Sequence, residues 1–223
     1  MFLSVTMARN PRLVEAAAGL HRDRRVPPDT YLIDLDAVAA NAAVLATVAA
    51  AHGVRLWPVF KQVGRNPHVI ATVAEQLPDA AAIDLRDAEA IRGAGAGLGN
   101  VGHLVQLPLN AVDRVLAWRP RYVTVFGVEQ ARAVSDAAAR LGITQPLLAR
   151  VVDETDHLYP GQEGGVPLAD IEKVAAEIGD LDAVSLDGVT SFPCLLYDEP
   201  AKAIAPTPNL RTLLTATSRL AAA

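Results

Sequence analysis

Residues 56–69 read LWPVFKQVGRNPHV, and the fold turns on how this stretch is divided. Leu56 to Phe60 is a short, continuously apolar run, the pattern of a strand covered on both faces. It ends on a charged residue, Lys61, followed by Gly64 for a turn and by Asn66-Pro67, an N-cap with proline at the first helical position. A strand that closes on a lysine and runs straight into a helix is the opening of a β-α unit. In such units the carboxyl ends of the strands gather reactive side chains on one rim.

The pattern recurs downstream. Strands are expected at 55–61, 80–86, 101–107, 122–127, 146–152 and 183–192, separated by amphipathic helices. Asn110 is expected to cap the helix in AVDRVLAW, RAVSDAAARLG to stop at Gly142, and PLADIEKVAAEIG to run from Pro167 to Gly179. Upstream, TYLIDLDAVAANAAVLATVAA reads as a short leading strand and a long helix beginning near Asp34 or Asp36. The tail from Pro208 to Ala223 reads as a helix. No Pro/Gly/Ser linker divides the chain, so residues 30–223 are expected to form one α/β domain behind an N-terminal segment, residues 1–29. The expected architecture is a (β/α)8 TIM-barrel-like domain, incomplete at about six β-α units.

The totals narrow the function classes. Of 223 residues, 51% are hydrophobic and 20% charged, the composition of a folded chain with a substantial core. A formal net charge of −5 and the absence of a basic tract interleaved with aromatics argue against nucleic acid. His21-Arg22-Asp23-Arg24-Arg25 reads as a solvated segment. The single cysteine, Cys194, suits a reducing compartment. The N-terminus lacks the layout of a secretory signal, and Ala37–Ala51 is too short to span a bilayer. A cytoplasmic protein with no membrane partner is expected. The five histidines and the cysteine show no metal-ligand spacing, and GAGAGLGN, 93–100, reads as a helix-ending loop and not a dinucleotide fingerprint.

On the rim, the candidates are Lys61, Asp84, Arg86, Gln106, Arg150, Asp153 to His157, Asp187, Thr190 and Ser191. A desolvated lysine amine has a depressed pKa and becomes a nucleophile toward carbonyl carbon. DGVTSF, 187–192, ends its strand on two hydroxyls, Thr190 and Ser191, able to donate to a phosphate. LYPGQEGG, 158–165, is either a glycine-rich turn or part of a functional rim.

TYLIDLDAVAANAAVL at 30–45, the strand ending in Lys61, IDLRDAEAIRGAG at 83–95 and RVVDETDHLYPG at 150–161 together resemble the N-terminal domain of the alanine racemase family, the fold-type III pyridoxal 5'-phosphate (PLP) enzymes. The similarity runs over most of residues 30–192. It implies PLP held as a Schiff base on Lys61, an amino-acid substrate, and Lys61 acting as acid and base at the substrate Cα in racemase-type isomerase chemistry. The family's phosphate-binding tyrosine is replaced by Arg65, which can bind phosphate bidentately or instead read a substrate carboxylate. Arg65, Arg150, Thr190 and Ser191 complete the expected cofactor-binding set. The family's second base, a tyrosine from a C-terminal β-domain of the partner subunit, and its pyridine-facing arginine would lie beyond residue 223, so Tyr159 is the local candidate. The resemblance also implies a homodimer, and an open sheet edge favours association. A non-catalytic PLP-binding or regulatory protein, and a Schiff-base barrel without PLP, remain open alternatives from the residues alone.

Overall fold

The computed structural model describes residues 2–222; the two terminal residues of the expected segments, Met1 and Ala223, lie outside it. Two helices, α1 (Phe2–Arg9) and α2 (Pro11–Arg22), precede the body of the molecule. Asn10 caps α2 and its amide also donates to Asp34 at 2.6 Å. Asp34 in turn caps α3 (Leu35–Ala51) by accepting the Ala37 N–H at 3.0 Å. One carboxylate therefore joins the N-terminal helices to the body. The leading strand expected before α3 is not formed: the segment finds no neighbouring strand, and Tyr31 is 95% exposed.

A parallel sheet follows, made of β1 (Asp79–Ala82), β2 (Gly97–Val101), β3 (Tyr122–Val125), β4 (Gln145–Val152), the two-residue β5 (Val166–Pro167) and β6 (Val184–Thr190). β1 to β4 pair in order, and β5 and β6 both pair with β4. The helices α4 (Pro67–Ala74), α5 (Leu85–Gly93), α6 (Val112–Ala117), α7 (Val128–Arg140) and α8 (Ile171–Gly179) form the covering layer. Their apolar faces close on Leu98, Val101, Val123, Val125 and Leu147, all almost fully buried. A smaller core joins Ala149, Val151, Val166 and Ile171 to Ala216 of α9 (Pro208–Ala222). The sheet is barrel-like but incomplete, with six parallel strands against the eight of a closed (β/α)8 barrel.

The opening stretch departs from its expected state. Residues 55–61 form no strand and are held to the sheet by one backbone bond, Ala81 N–H to Pro58 O at 3.0 Å. Pro58 has no N–H, so it offers only the accepting half of a ladder. Lys61 opens a single 3-10 turn, Lys61–Val63, which ends at Gly64 with φ +64°. Asn66 then caps α4 by accepting the N–H groups of His68 and Val69.

Other boundaries move for local reasons. The strand expected at 101–107 lies earlier, in the glycine-rich 97–101, so GAGAGLGN is half strand. Gly99 belongs there because the Trp57 ring lies over it, and a Cβ at residue 99 would sit 2.5 Å from the indole. The strand expected at 80–86 stops at Ala82, since Asp84 caps α5 by accepting the Asp87 N–H at 2.9 Å. Asn110 lies inside a 3-10 turn, Leu109–Ala111, and α6 starts without a side-chain cap. Pro167 precedes another such turn, Leu168–Asp170, before α8. Gly142, φ +61°, follows α7 as expected. An antiparallel hairpin, β7 (Leu195–Asp198) with β8 (Ala203–Pro206), was not legible beforehand.

Candidate active site

The carboxyl ends of the parallel strands converge on one mouth, and four of its side chains come from four separate segments, three of them at or just past strand ends. Lys61 follows the Pro58 segment, His103 stands two residues past β2, Arg150 lies near the end of β4, and Thr190 is the last residue of β6. Thr190 Oγ1 and His103 Nδ1 are 3.4 Å apart. Since β3 and β4 lie between β2 and β6, this contact requires the sheet to curl so that its inner face closes on itself.

His103 is a neutral imidazole in this setting. Desolvation, followed by the charges of Arg150 and Lys61, pushes its pKa down to about 4. The charges of Lys61 and Arg150 thus both act on His103. His103 escapes sequence reading because it matches no metal spacing and its partner Thr190 lies 87 residues away in the chain.

Arg150 is 1% exposed. Its Nη2 donates to the Gln162 carbonyl and its guanidinium lies 5.2 Å from the Phe126 ring centroid. Among the described residues its Nε and Nη1 have no hydrogen-bond partner, nor do the buried Ser191 Oγ and Gln162 Oε1. Burial lowers the Arg150 pKa, opposed by the charge of Glu163. The loop carrying Gln162 is pressed onto the strand: a Cβ at Gly165 would lie 2.8 Å from Val152, and one at Gly164 2.9 Å from Phe126. Two N–H-bearing nitrogens of a buried cation without acceptors are suited to an anion, and the unpartnered Ser191 hydroxyl lies one residue past Thr190, the register partner of Arg150.

Tyr159 joins an aromatic wall on this rim. Its ring is 4.9 Å from His157 and 6.1 Å from Phe192, and Phe192 meets His103 edge-on at 5.9 Å. Arg65 is paired with carboxylates. Its Nε is bound to the carboxylate of Asp87, a residue 2% exposed, and its Nη2 lies 3.7 Å from Asp84. Burial opposes the Asp84 charge, but the Asp87 N–H, the Arg86 hydrogen bond and the charges of Arg65 and Arg86 together hold its pKa below the ordinary value.

The remaining rim residues are occupied locally. Asp156 accepts the Asp153 N–H at 3.0 Å and the Thr212 hydroxyl at 2.7 Å, and Asp187 accepts from Ser185. Gln106 lines a cavity of about 400 Å³ with Phe126, Gly127 and Gln130, next to the wall of the mouth. No group of metal-ligating side chains occurs among the described residues, and none of their helices is long and apolar enough to cross a membrane.

The family model for the alanine racemase N-terminal domain matches residues 33–223. The chain belongs to this family. A relative, the protein YhfX of Escherichia coli K12, is 38% identical over 222 residues, covering 99% of this chain and 57% of its own. The chain thus spans little more than half the length of that relative. Among solved structures, a diaminopimelate decarboxylase from M. jannaschii, in complex with L-lysine, superposes with a TM-score of 0.62 at 11% identity, over 81% of this chain and 45% of its own. A D-threonine aldolase from Filomicrobium marinum gives 0.54 at 21% identity, over 74% and 43%. These two share the fold with the alanine-racemase-type domain described here.

Proposed function

We propose that this chain is the PLP-binding barrel of an enzyme that moves protons at the Cα of an amino acid, of the racemase type, with Lys61 as the residue that carries the cofactor. The observation that supports it most is the pair of unpartnered buried donors, Arg150 Nε and Nη1, on a cation whose charge acts on His103 together with that of Lys61. A phosphorylated, anionic aldehyde fits such donors, and its carbonyl needs a primary amine. When bound, PLP withdraws electron density from the substrate Cα.

The chain's own groups supply the rest. The Thr190 and Ser191 hydroxyls and the Arg150 guanidinium bind anionic oxygens. The Lys61 amine attaches the cofactor and, once released by substrate, takes and returns the Cα proton. Tyr159 is the second proton-transfer group. His103, kept neutral, offers one ring N–H and one acceptor nitrogen and adds no further positive charge. Arg65, committed to Asp87 and Asp84, is assigned to holding the Lys61 turn against α5 rather than to the phosphate. A cytoplasmic homodimer is the assembly this reading expects.

The test is spectroscopic, then chemical. Incubation with PLP should produce an absorbance band near the visible that Lys61→Ala abolishes, and the Cα proton of at least one amino acid in a panel should exchange in heavy water. No band at saturating PLP refutes the cofactor assignment. A band without exchange refutes the racemase reading.

A further inference from the structure

The mouth's aromatic wall stands on loops, and both loops converge on one amide in α9. Asn209, 0% exposed, accepts the His157 N–H at 2.9 Å and donates to the carbonyls of His157 at 3.2 Å and Phe192 at 3.1 Å. This orientation of the amide is set by its partners, since the N–H faces the oxygen and both carbonyls face the nitrogen. The Thr207 hydroxyl donates to Pro193 O, with Asn209 Oδ1 a further acceptor at 3.3 Å, and Thr207 N–H reaches Cys194 O at 3.0 Å. One helix turn later, Thr212 holds Asp156. The start of α9 thus bonds the loop after β4 and the loop after β6 at once.

Those loops carry the aromatic wall. His157 and Tyr159 lie on the first, Ser191 and Phe192 on the second, and the rings meet at 4.9 Å and 6.1 Å before Phe192 touches His103. A fully satisfied buried amide enforces one relative placement of its partners, because shifting either loop leaves a buried donor or acceptor unmatched.

We propose that Asn209 is a positioning residue for the mouth, setting Tyr159 and Phe192 against His103 by joining the two loops through a single side chain. The functional consequence rests on the reading of this mouth as the PLP site; the placement itself does not. Asn209→Asp keeps the size and the acceptor while removing both donated bonds and setting a carboxylate against two carbonyls.

The experiment has two arms. In cofactor-free protein, histidine ring signals are followed by NMR and assigned through His103→Gln and His157→Gln. Asn209→Asp should move the His103 and His157 signals and leave those of His21, His52 and His68, all exposed, in place. In the PLP-loaded protein, Cα proton exchange should fall by about 10²-fold, mainly in kcat and not KM, as expected for reacting groups displaced by about 1 Å. If Asn209→Asp does not fold, Thr207→Val, which removes the hydroxyl bonds alone, should shift the same two signals by less. Unmoved His103 and His157 signals in a folded variant, or all five moving together, overturn the proposal. If the unsubstituted protein shows no PLP band, the functional reading fails while the NMR arm still decides the positioning role.

Discussion

Removing the Arg65 guanidinium tests whether this residue supports the fold or contacts a ligand. Asp87 is 2% exposed, and its carboxylate is shared between Arg65 and the Ile83 N–H, the latter at 3.1 Å. Breaking a buried pair by deleting one partner costs about 3–5 kcal/mol, because the remaining charge has no compensation. Two features reduce that figure here. The Arg65 side chain is 28% exposed, so solvent already screens the pair, and Ile83 keeps its bond to Asp87. We therefore expect Arg65→Ala to cost about 2–3 kcal/mol, below the fully buried range. For a domain of this size that corresponds to a fall in Tm of roughly 5–10 °C. The assay is thermal and urea unfolding of cofactor-free protein, with Asp87→Asn alone and combined with Arg65→Ala. The double variant should recover part of the loss, since an amide leaves no charge buried. A Tm unchanged in Arg65→Ala, together with a lost affinity for PLP, would refute this assignment and return Arg65 to the phosphate.

Two further outcomes follow from the same physics. The His103 pKa is about 4 in the fold against 6.5 ordinarily, so the unfolded chain binds a proton that the folded one refuses as pH falls. Its stabilising contribution is complete above pH 6.5 and lost as pH drops through about 4; unfolding midpoints should show His103→Gln gaining on the unsubstituted protein across that window, and a constant difference would refute it. Gly99→Ala places a methyl 2.5 Å from Trp57. Overpacking of this kind costs about 1–3 kcal/mol, to be read as a lowered urea midpoint with altered tryptophan fluorescence, and an unchanged midpoint and spectrum would show that the strand accommodates a side chain.

What could be read beforehand divides along physical lines. The rhythm of β-α units was legible because strands covered on both faces, such as Tyr122–Val125 and Gln145–Val152, are largely apolar, and because caps such as Asn66 act through neighbours two or three residues away. The state of Leu56–Phe60 was not, because its composition is that of a strand while its pairing depends on a neighbour and on the missing N–H of Pro58. β2 was misplaced for the converse reason: Gly97-Leu98-Gly99-Asn100 has poor strand propensity, and it is packing beneath Trp57 that calls for Gly99.

The mouth shows the same divide between local and long-range information. Lys61, Arg150, Thr190 and Ser191 are rim candidates by their positions at or near the ends of expected strands. His103 and Asn209 could not, because their roles exist only through partners 87, 52 and 17 residues away in the chain. Arg65 adds a further lesson. Its place in the motif suggested a phosphate ligand, yet Asp87, the residue that occupies it, is also within a recognisable motif, IDLRDAEAIRGAG. Neither motif read alone discloses the ion pair between them. A buried carboxylate in one β-α unit can claim the cation of the preceding unit, so a positional match to a ligand-binding residue becomes an argument for that role only after the residue's carboxylate neighbours have been placed.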